Sequence, residues 1–425
     1  MNFRKKGANI NNFDAEVLNK ADLNYLNCGI PVYTIKGNTM GLIRLDFVFD
    51  AGLLYYAKNM TPQDCMVLLR EGSEKFSPQE ISDILDYNAV YSQPNINRKT
   101  AGWGFFIDQN AIKTVLPVIA DFLFKPSFPD KELEIYKQNL QQRLKIELQK
   151  PRTLALRKYN NLIFGSNHPL GLMIEPEDIS KINKTELLEF HQKHYISKNC
   201  KIIVSGNTDL NILEILNENL APYCNDNQKK IELKTHTPEK SSENFVHIQK
   251  PDAKQAAIRM GGLIEFDNFE EYHNLKTLNT VLGGYFGSRL MKNIREDKGL
   301  TYGIGSFLQF CDGKAFFNIV AEVKGSKWEE ALSEIKKEIN NLWAIPISTD
   351  ELDMVKKTIL GGLLSNFDGA FASAAVLRGL LEIEKDYQFF EDAIRSIHKI
   401  DESLLQNLAK EKLNIENLSA VVAGP

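Results

Sequence analysis

The sequence predicts an α+β fold built as two duplicated domains, each a largely antiparallel sheet with helices packed on one face. Three observations carry this. Short, alternating, β-branched segments are interspersed with long amphipathic ones along the whole chain. The same order of segments occurs twice, at offsets that stay between 211 and 219 residues. Between the copies lies a polar, charged stretch with few apolar positions, the composition of a surface linker. The predicted division is residues 1–225, a linker over 226–243, and residues 244–425.

Each element has its own signal. Val32-Tyr33-Thr34-Ile35-Lys36 and Val246-His247-Ile248-Gln249-Lys250 open the two copies as alternating strands. A second strand follows in each, Ile43 to Gly52 and Ala256 to Gly262, and two adjacent alternating strands suggest an antiparallel hairpin. A helical stretch then closes on Gly72-Ser73 in the first copy and Gly283-Gly284 in the second. Tyr91 and Tyr302 begin similar strands. Lys131-Glu132-Leu133-Glu134 and Asp350-Glu351-Leu352-Asp353 each open a long amphipathic helix after a Pro. The residues from Ala370 to Leu381 read as a buried helix stripe, and Gly361-Gly362 as packing glycines. Each copy closes on a strand, Asn199 to Gly206 and Asn417 to Gly424.

Composition narrows the function. The chain has 425 residues, 43% hydrophobic and 25% charged, which is ordinary globular composition. A chain of this length buries about three quarters of its extended surface, so it needs no staple to be stable. Fifty-one Lys and Arg against 55 Asp and Glu leave a net charge of −4, with no basic excess to suit a nucleic acid or an anionic membrane. Cys28, Cys65, Cys200, Cys224 and Cys311 stand singly, an odd count without C-x-x-C. We read them as free thiols of a reducing compartment. The start, MNFRKKGANINNF, is basic without an apolar run behind it, and the apolar stretch Val115 to Phe124 is broken by Asp121. The expected location is cytoplasmic.

The sharpest local signal is the stretch from Gly283 to Ile304, with Gly283-Gly284, Ser288-Arg289-Leu290, Ile294-Arg295-Glu296 and Tyr302. Leu290 and Ile294 are spaced as the buried stripe of a short helix, and Gly299 as its stop. Arg295 then falls in the last turn and Tyr302 at a strand entrance, on the same edge of the domain. A guanidinium and a phenol that converge could both donate to one carbonyl oxygen. From spacing alone, the favoured reading is an ion pair for Arg295 and a half-buried strand position for Tyr302.

This stretch resembles the C-terminal signature of the insulinase, or pitrilysin, family of zinc metallopeptidases, and the likeness, with its duplicated α+β domain, extends over nearly the whole chain. The resemblance implies that Arg295 and Tyr302 hold the scissile carbonyl of a peptide across a cleft from the zinc, where donors aimed at a developing oxyanion stabilise the transition state. It also implies an inverted zinc motif, H-x-x-E-H, on a helix of the first domain. Gly72-Ser73 and Pro78-Gln79-Glu80-Ile81 set the register, and they put Gln63, Met66 and Val67 at the His, Glu and His positions. An amide, a thioether and an isopropyl group can neither bind zinc nor serve as a base. The family's further Glu ligand aligns with Gln142 and Arg143, and Glu147 is out of phase with it. The metal site is expected to be absent.

Other chemistry is poorly supported. His191 and His194 form an i, i+3 pair in a segment expected to be solvated, His168 lies in a loop, His236 in the linker, and His247, His273 and His398 stand singly. Neither G-x-S-x-G nor a P-loop occurs. The expected function is that of the non-catalytic, substrate-binding subunit of a two-component zinc peptidase. A homologous partner would supply the zinc, this chain would bind no cofactor, and an unfolded peptide would lie between them. The alternative is a structural scaffold, or a peptide-binding homodimer, without peptidase activity.

Overall fold

The computed structural model describes residues 18–56, 59–207, 211–225 and 229–425. The basic start of the chain and residues 226–228 of the linker lie outside the described residues. The first half carries the strands β1 (Asp22–Tyr25), β2 (Pro31–Lys36), β3 (Leu42–Phe49), β4 (Tyr91–Ile96), β5 (Ala101–Asp108) and β6 (Cys200–Gly206). The second carries β7 (Phe245–Gln249), β8 (Gln255–Ile264), β9 (Thr301–Cys311), β10 (Lys314–Lys324) and β11 (Ser419–Gly424). The sheets run β1-β2-β6-β3-β5-β4 and β7-β11-β8-β10-β9. Without the edge strand β1 the two orders are the same, and in both the first and last strands of the copy, β2 with β6 and β7 with β11, form the parallel pair.

This topology corrects the expected hairpins. β2 and β3 are not neighbours, because β6 lies between them, and β11 separates β7 from β8 in the same way. The closing strands are the most completely buried, with every residue of β11 and all but one of β6 shielded from water. A strand covered on both faces belongs in the middle of a sheet.

Among the described residues of the first half the α-helices are α1 (Thr61–Leu68), α2 (Pro78–Tyr87), α3 (Ile112–Phe124), α4 (Asp130–Glu147), α5 (Pro151–Phe164), α6 (Pro176–Ile179), α7 (Lys184–His194) and α8 (Ile212–Leu220). The second half has α9 (Phe269–Asn279), α10 (Trp328–Ala344), α11 (Thr349–Asn366), α12 (Ala370–Glu382), α13 (Gln388–Lys399) and α14 (Glu402–Lys412). One face of the first sheet packs Phe47, Phe49 and Phe105 against Val115, Ile119 and Phe122 of α3. The matching face of the second sheet packs Ile258, Phe317 and Ile319 with Leu278, Leu290, Ile294 and Ile335.

The opposite faces are not left to water. Ala370, Ala374 and Leu377 of α12 bury Ile35, Val48 and Ile203 of the first sheet. Ala155, Tyr159, Leu162 and Ile163 of α5 pack on Ala257, Val421 and Ala423 of the second. Each half therefore lends one helix to the other, a placement that the expected one-faced domains did not contain. Close approach depends on glycine: a Cβ on Gly37 would stand 2.7 Å from the Cβ of Ala370. One on Gly261, where φ is +157°, would stand 2.6 Å from the Tyr159 hydroxyl, which donates to the Phe317 carbonyl at 2.9 Å.

Polar contacts complete the exchange. Asp46 takes a bidentate contact from Arg44 at 2.8 and 2.9 Å and a third from Arg378 of α12 at 3.3 Å. Glu382 accepts from the Thr100 hydroxyl at 2.6 Å and from the amides of Lys99 and Thr100. The linker is pinned along the surface, with the amides of Glu239 and Ser241 donating to Phe164 and Leu162 carbonyls at the end of α5.

Two further expectations are corrected. Cys28 and Cys224, 196 residues apart with Cα atoms 6.0 Å from each other, form a disulfide that ties the β1–β2 turn to the end of α8. With that bond in place, the cysteines no longer argue for a reducing compartment. Gly361 and Gly362 lie inside an unbroken α11, and a Cβ on either would meet nothing, so close packing does not explain them. No single helix among the described residues is long and apolar enough to cross a membrane; α11 and α12 reach that measure only together, bent by 106°.

Candidate functional site

The glycine-rich stretch folds as a π-helical ending to α9 (Thr280–Gly284), then a second π-helical run, Met291–Asp297. Such turns are uncommon and cluster at functional sites. Gly283 is there for close approach: a Cβ would stand 2.7 Å from the Ser306 amide. Asn279 and Ser306 stitch helix to strand, the Asn279 amide donating to the Ser306 carbonyl at 3.2 Å and the Ser306 hydroxyl to the Asn279 carbonyl at 3.1 Å. Leu290 and Ile294 are fully buried, as their spacing predicts. Gly299, at φ +61°, ends the run, and the Leu300 amide returns to the Ile294 carbonyl.

Arg295 and Tyr302 stand at this edge. Arg295, in the last turn, is half-buried, and its guanidinium carbon lies 5.0 Å from the ring centroid of Phe286. Among the described residues no carboxylate pairs with it, so the surface ion pair is not what the side chain makes; Arg289 instead takes that role, bidentate to Glu351 at 2.9 Å. Tyr302 is not half-buried but 90% exposed. The cause is local. Ile304 pairs with Ala321, while Thr301 pairs with Val323, so Tyr302 and Gly303 together face Glu322 in a β-bulge that breaks the alternation. The Thr301 hydroxyl pins the bulge, 2.5 Å from the Glu322 carbonyl and accepting from the Gly303 amide at 3.1 Å. No hydrogen bond joins Arg295 to Tyr302.

In the first half, Gln63, Met66 and Val67 all lie on α1. Gln63 and Val67 are half-buried, while Met66 is buried and its carbonyl accepts from the Trp103 indole at 3.0 Å. Gln142 and Arg143 are exposed. The helix face that meets α1 is that of Tyr136, Leu140 and Leu144, which corrects the alignment. Leu140 and Leu144 line a cleft of about 250 Å³ with Gln63, and the Tyr136 hydroxyl donates to Asp64 at 2.7 Å. The residues therefore do not fit a zinc ion: at these positions they offer an amide, a thioether and three hydrocarbon side chains. Burial pushes the Asp64 carboxyl up to about 7, against a smaller opposing pull from Tyr136.

The histidines are structural. His191 and His194 are buried, not solvated as expected; they face the Leu123 carbonyl at 2.9 Å and the Asp50 carbonyl at 3.2 Å, and burial pulls both down to about 4. His168 accepts from the Leu170 amide and stacks on Phe164, and His236 meets the Leu54 carbonyl. Sequence reasoning missed Phe286, the ring that supports Arg295, and also Lys276 and Asn279. These two line a cleft with Phe286 but stand 16 residues or more from Arg295 in the chain.

Residues 181–359 match the family described as the peptidase M16 inactive domain. The chain is 27% identical over 69% of its length to an uncharacterized zinc protease of Rickettsia bellii, covering 69% of that protein. It is 24% identical over 70% of its length to one of Bacillus subtilis, covering 72%. A probable inactive metalloprotease of Bacillus subtilis is 22% identical over 67% of this chain and 68% of its own. The fold is that of the peptidase M16 inactive domain from Pseudomonas fluorescens, with TM-score 0.85, 20% identity, and 95% and 98% of the two chains covered. A protease from Helicobacter pylori superposes with TM-score 0.84 at 17% identity, over 96% of this chain and all of that one. With the Arg295–Tyr302 signature in place and the zinc positions filled by Gln63, Met66 and Val67, the chain is similar to the insulinase, or M16, metallopeptidases in fold and in the match over residues 181–359, and it lacks their metal motif.

Proposed function

We propose that this chain is the non-catalytic, substrate-binding subunit of a two-component zinc peptidase. Arg295 and Tyr302 present a guanidinium and a phenol to the scissile carbonyl of an unfolded peptide, and a homologous partner brings the zinc. One observation carries the reading: at one edge the two donors have no acceptor among the described residues, Arg295 over Phe286 and Tyr302 turned out by the bulge, in a chain whose α1 positions do not suit a metal. A pure scaffold has no need of either donor. Binding the carbonyl at this edge lets charge that develops on its oxygen meet two fixed hydrogen-bond donors.

The test mixes the purified chain with a zinc-bearing relative from the same cell and follows cleavage of a quenched peptide. Arg295→Ala and Tyr302→Phe should each lower turnover of the mixture by about 10²–10³-fold with the complex still formed. Turnover that both variants leave unchanged would refute the assignment, and a stable complex without any turnover would favour the scaffold.

A further inference from the structure

Beside the Arg295–Tyr302 edge, a cleft of about 520 Å³ opens between the end of α9, the glycine segment and the outer strand β9. Its floor is apolar, with Met291, Ile304 and Leu308, and the exposed rings of Phe286 and Phe307 stand at its rim. The same Phe286 ring carries Arg295 on its face, so the cleft continues from the proposed carbonyl site. Lys276 is its one charged lining residue, and no carboxylate lies in the wall. Among the described residues Lys276 has no ion-pair partner. The Lys276 side chain is exposed to solvent along the cleft. Asn279, buried in the same wall, uses its amide on Ser306 and leaves Oδ1 without a partner.

We propose that this cleft binds a carboxylate of the peptide held at Arg295 and Tyr302, with Lys276 as its counter-ion, so that the chain selects acidic peptides. This rests on the substrate-binding reading above. An ammonium beside an apolar floor, with no carboxylate in the wall, attracts an anion and opposes a lysine or arginine in the same place. The apolar floor and the two rings suit the uncharged side chains that flank the acid.

The experiment titrates the full chain with three labelled, extended peptides of one sequence. One has a central Glu and an amidated end, one has Gln in its place and an amidated end, and one has Gln and a free C-terminal carboxylate. The Glu peptide should bind about five- to tenfold more tightly than its Gln counterpart, and less so as salt is added. Lys276→Gln should erase that preference without weakening the neutral peptide, and Lys276→Arg should keep it. If the free-acid peptide alone shows the gain, the group recognised is the chain end. Equal binding of all three peptides, or a preference that survives Lys276→Gln, overturns the proposal. Arg295→Ala separates the two readings, because it should weaken all three peptides alike. A Lys276-dependent preference that Arg295→Ala and Tyr302→Phe leave at full affinity would remove the carbonyl site and keep the carboxylate site. No binding of any peptide would remove both.

Discussion

Asp64 shares α1 with the three positions that cannot hold a metal, and its behaviour follows from the hydrocarbon that replaced the ligands. A carboxyl raised by burial to about 7 binds its proton more tightly in the folded chain than in the unfolded one. Stability from this group is therefore full at low pH and declines as pH rises from about 4 to about 7. His168, His191, His194 and His273, all pulled down to about 4, act in the opposite sense: they favour the folded chain above about 6.5 and lose that contribution on acidification. The two trends separate in a variant. Asp64→Asn keeps an acceptor for Tyr136, and urea melts at pH 7.5 should find it more stable than the parent by about 2–4 kcal/mol. The gap should close toward pH 4.5; a gap that does not close would mean that Asp64 is ionised throughout. The residue scale also shows what sequence could and could not supply. Arg295 and Tyr302 were legible because both lie within one short motif. The exposure of Tyr302 was not, since the bulge exists only against β10. Lys276 and Asn279 were hidden for the same reason: they reach the site through packing of α9 on β9, which no local spacing encodes.

At the scale of elements, strand and helix positions were legible and their partners were not. Periodicity placed β2, β6, β8 and β11 within a residue or two and β3 within three, but neighbouring strands in sequence were read as neighbours in space. The insertion of β6 and β11 into mid-sheet is a consequence of burial on both faces. The apolar run of α12 was likewise legible as a buried stripe, whereas its seat on the other half's sheet was not. Arg378 and Asp46 mark that seat, and they make it testable. Asp46 is 1% exposed and neutralises two guanidiniums, so Asp46→Ala leaves buried positive charge without a partner. A loss of about 3 kcal/mol or more in denaturant melts is expected. Glu330→Ala, which removes the half-exposed pair with Lys327, should cost less than about 1 kcal/mol. Equal effects would mean that Asp46 does not hold α12 in place.

For the whole molecule, the exchange of α5 and α12 makes two sequence copies into one folding unit. Taken alone, residues 1–225 would expose Ile35, Val48 and Ile203, which α12 covers, and would leave the apolar face of α5 without a sheet. Each large apolar side chain so exposed costs roughly 1.5–3 kcal/mol. A handful of them rivals the 5–15 kcal/mol that a domain has in total. The linker offers a place to test this, because the backbone between Glu232 and Leu233 has no strand or helix to lose. Halves separated there should each unfold without a sharp transition and aggregate when purified singly. Co-expressed, they should combine into a complex that melts cooperatively and keeps Arg295 and Tyr302 at their edge. The measurement is the thermal transition of each half alone and of the pair. A half that melts sharply by itself, near the temperature of the intact chain, would show that the borrowed helix contributes little. The two copies would then be independent domains, as the repeat in the sequence suggests. If they are not, the two sheets are coupled through α5 and α12, so a peptide bound at the second-half edge should stabilise the first half as well.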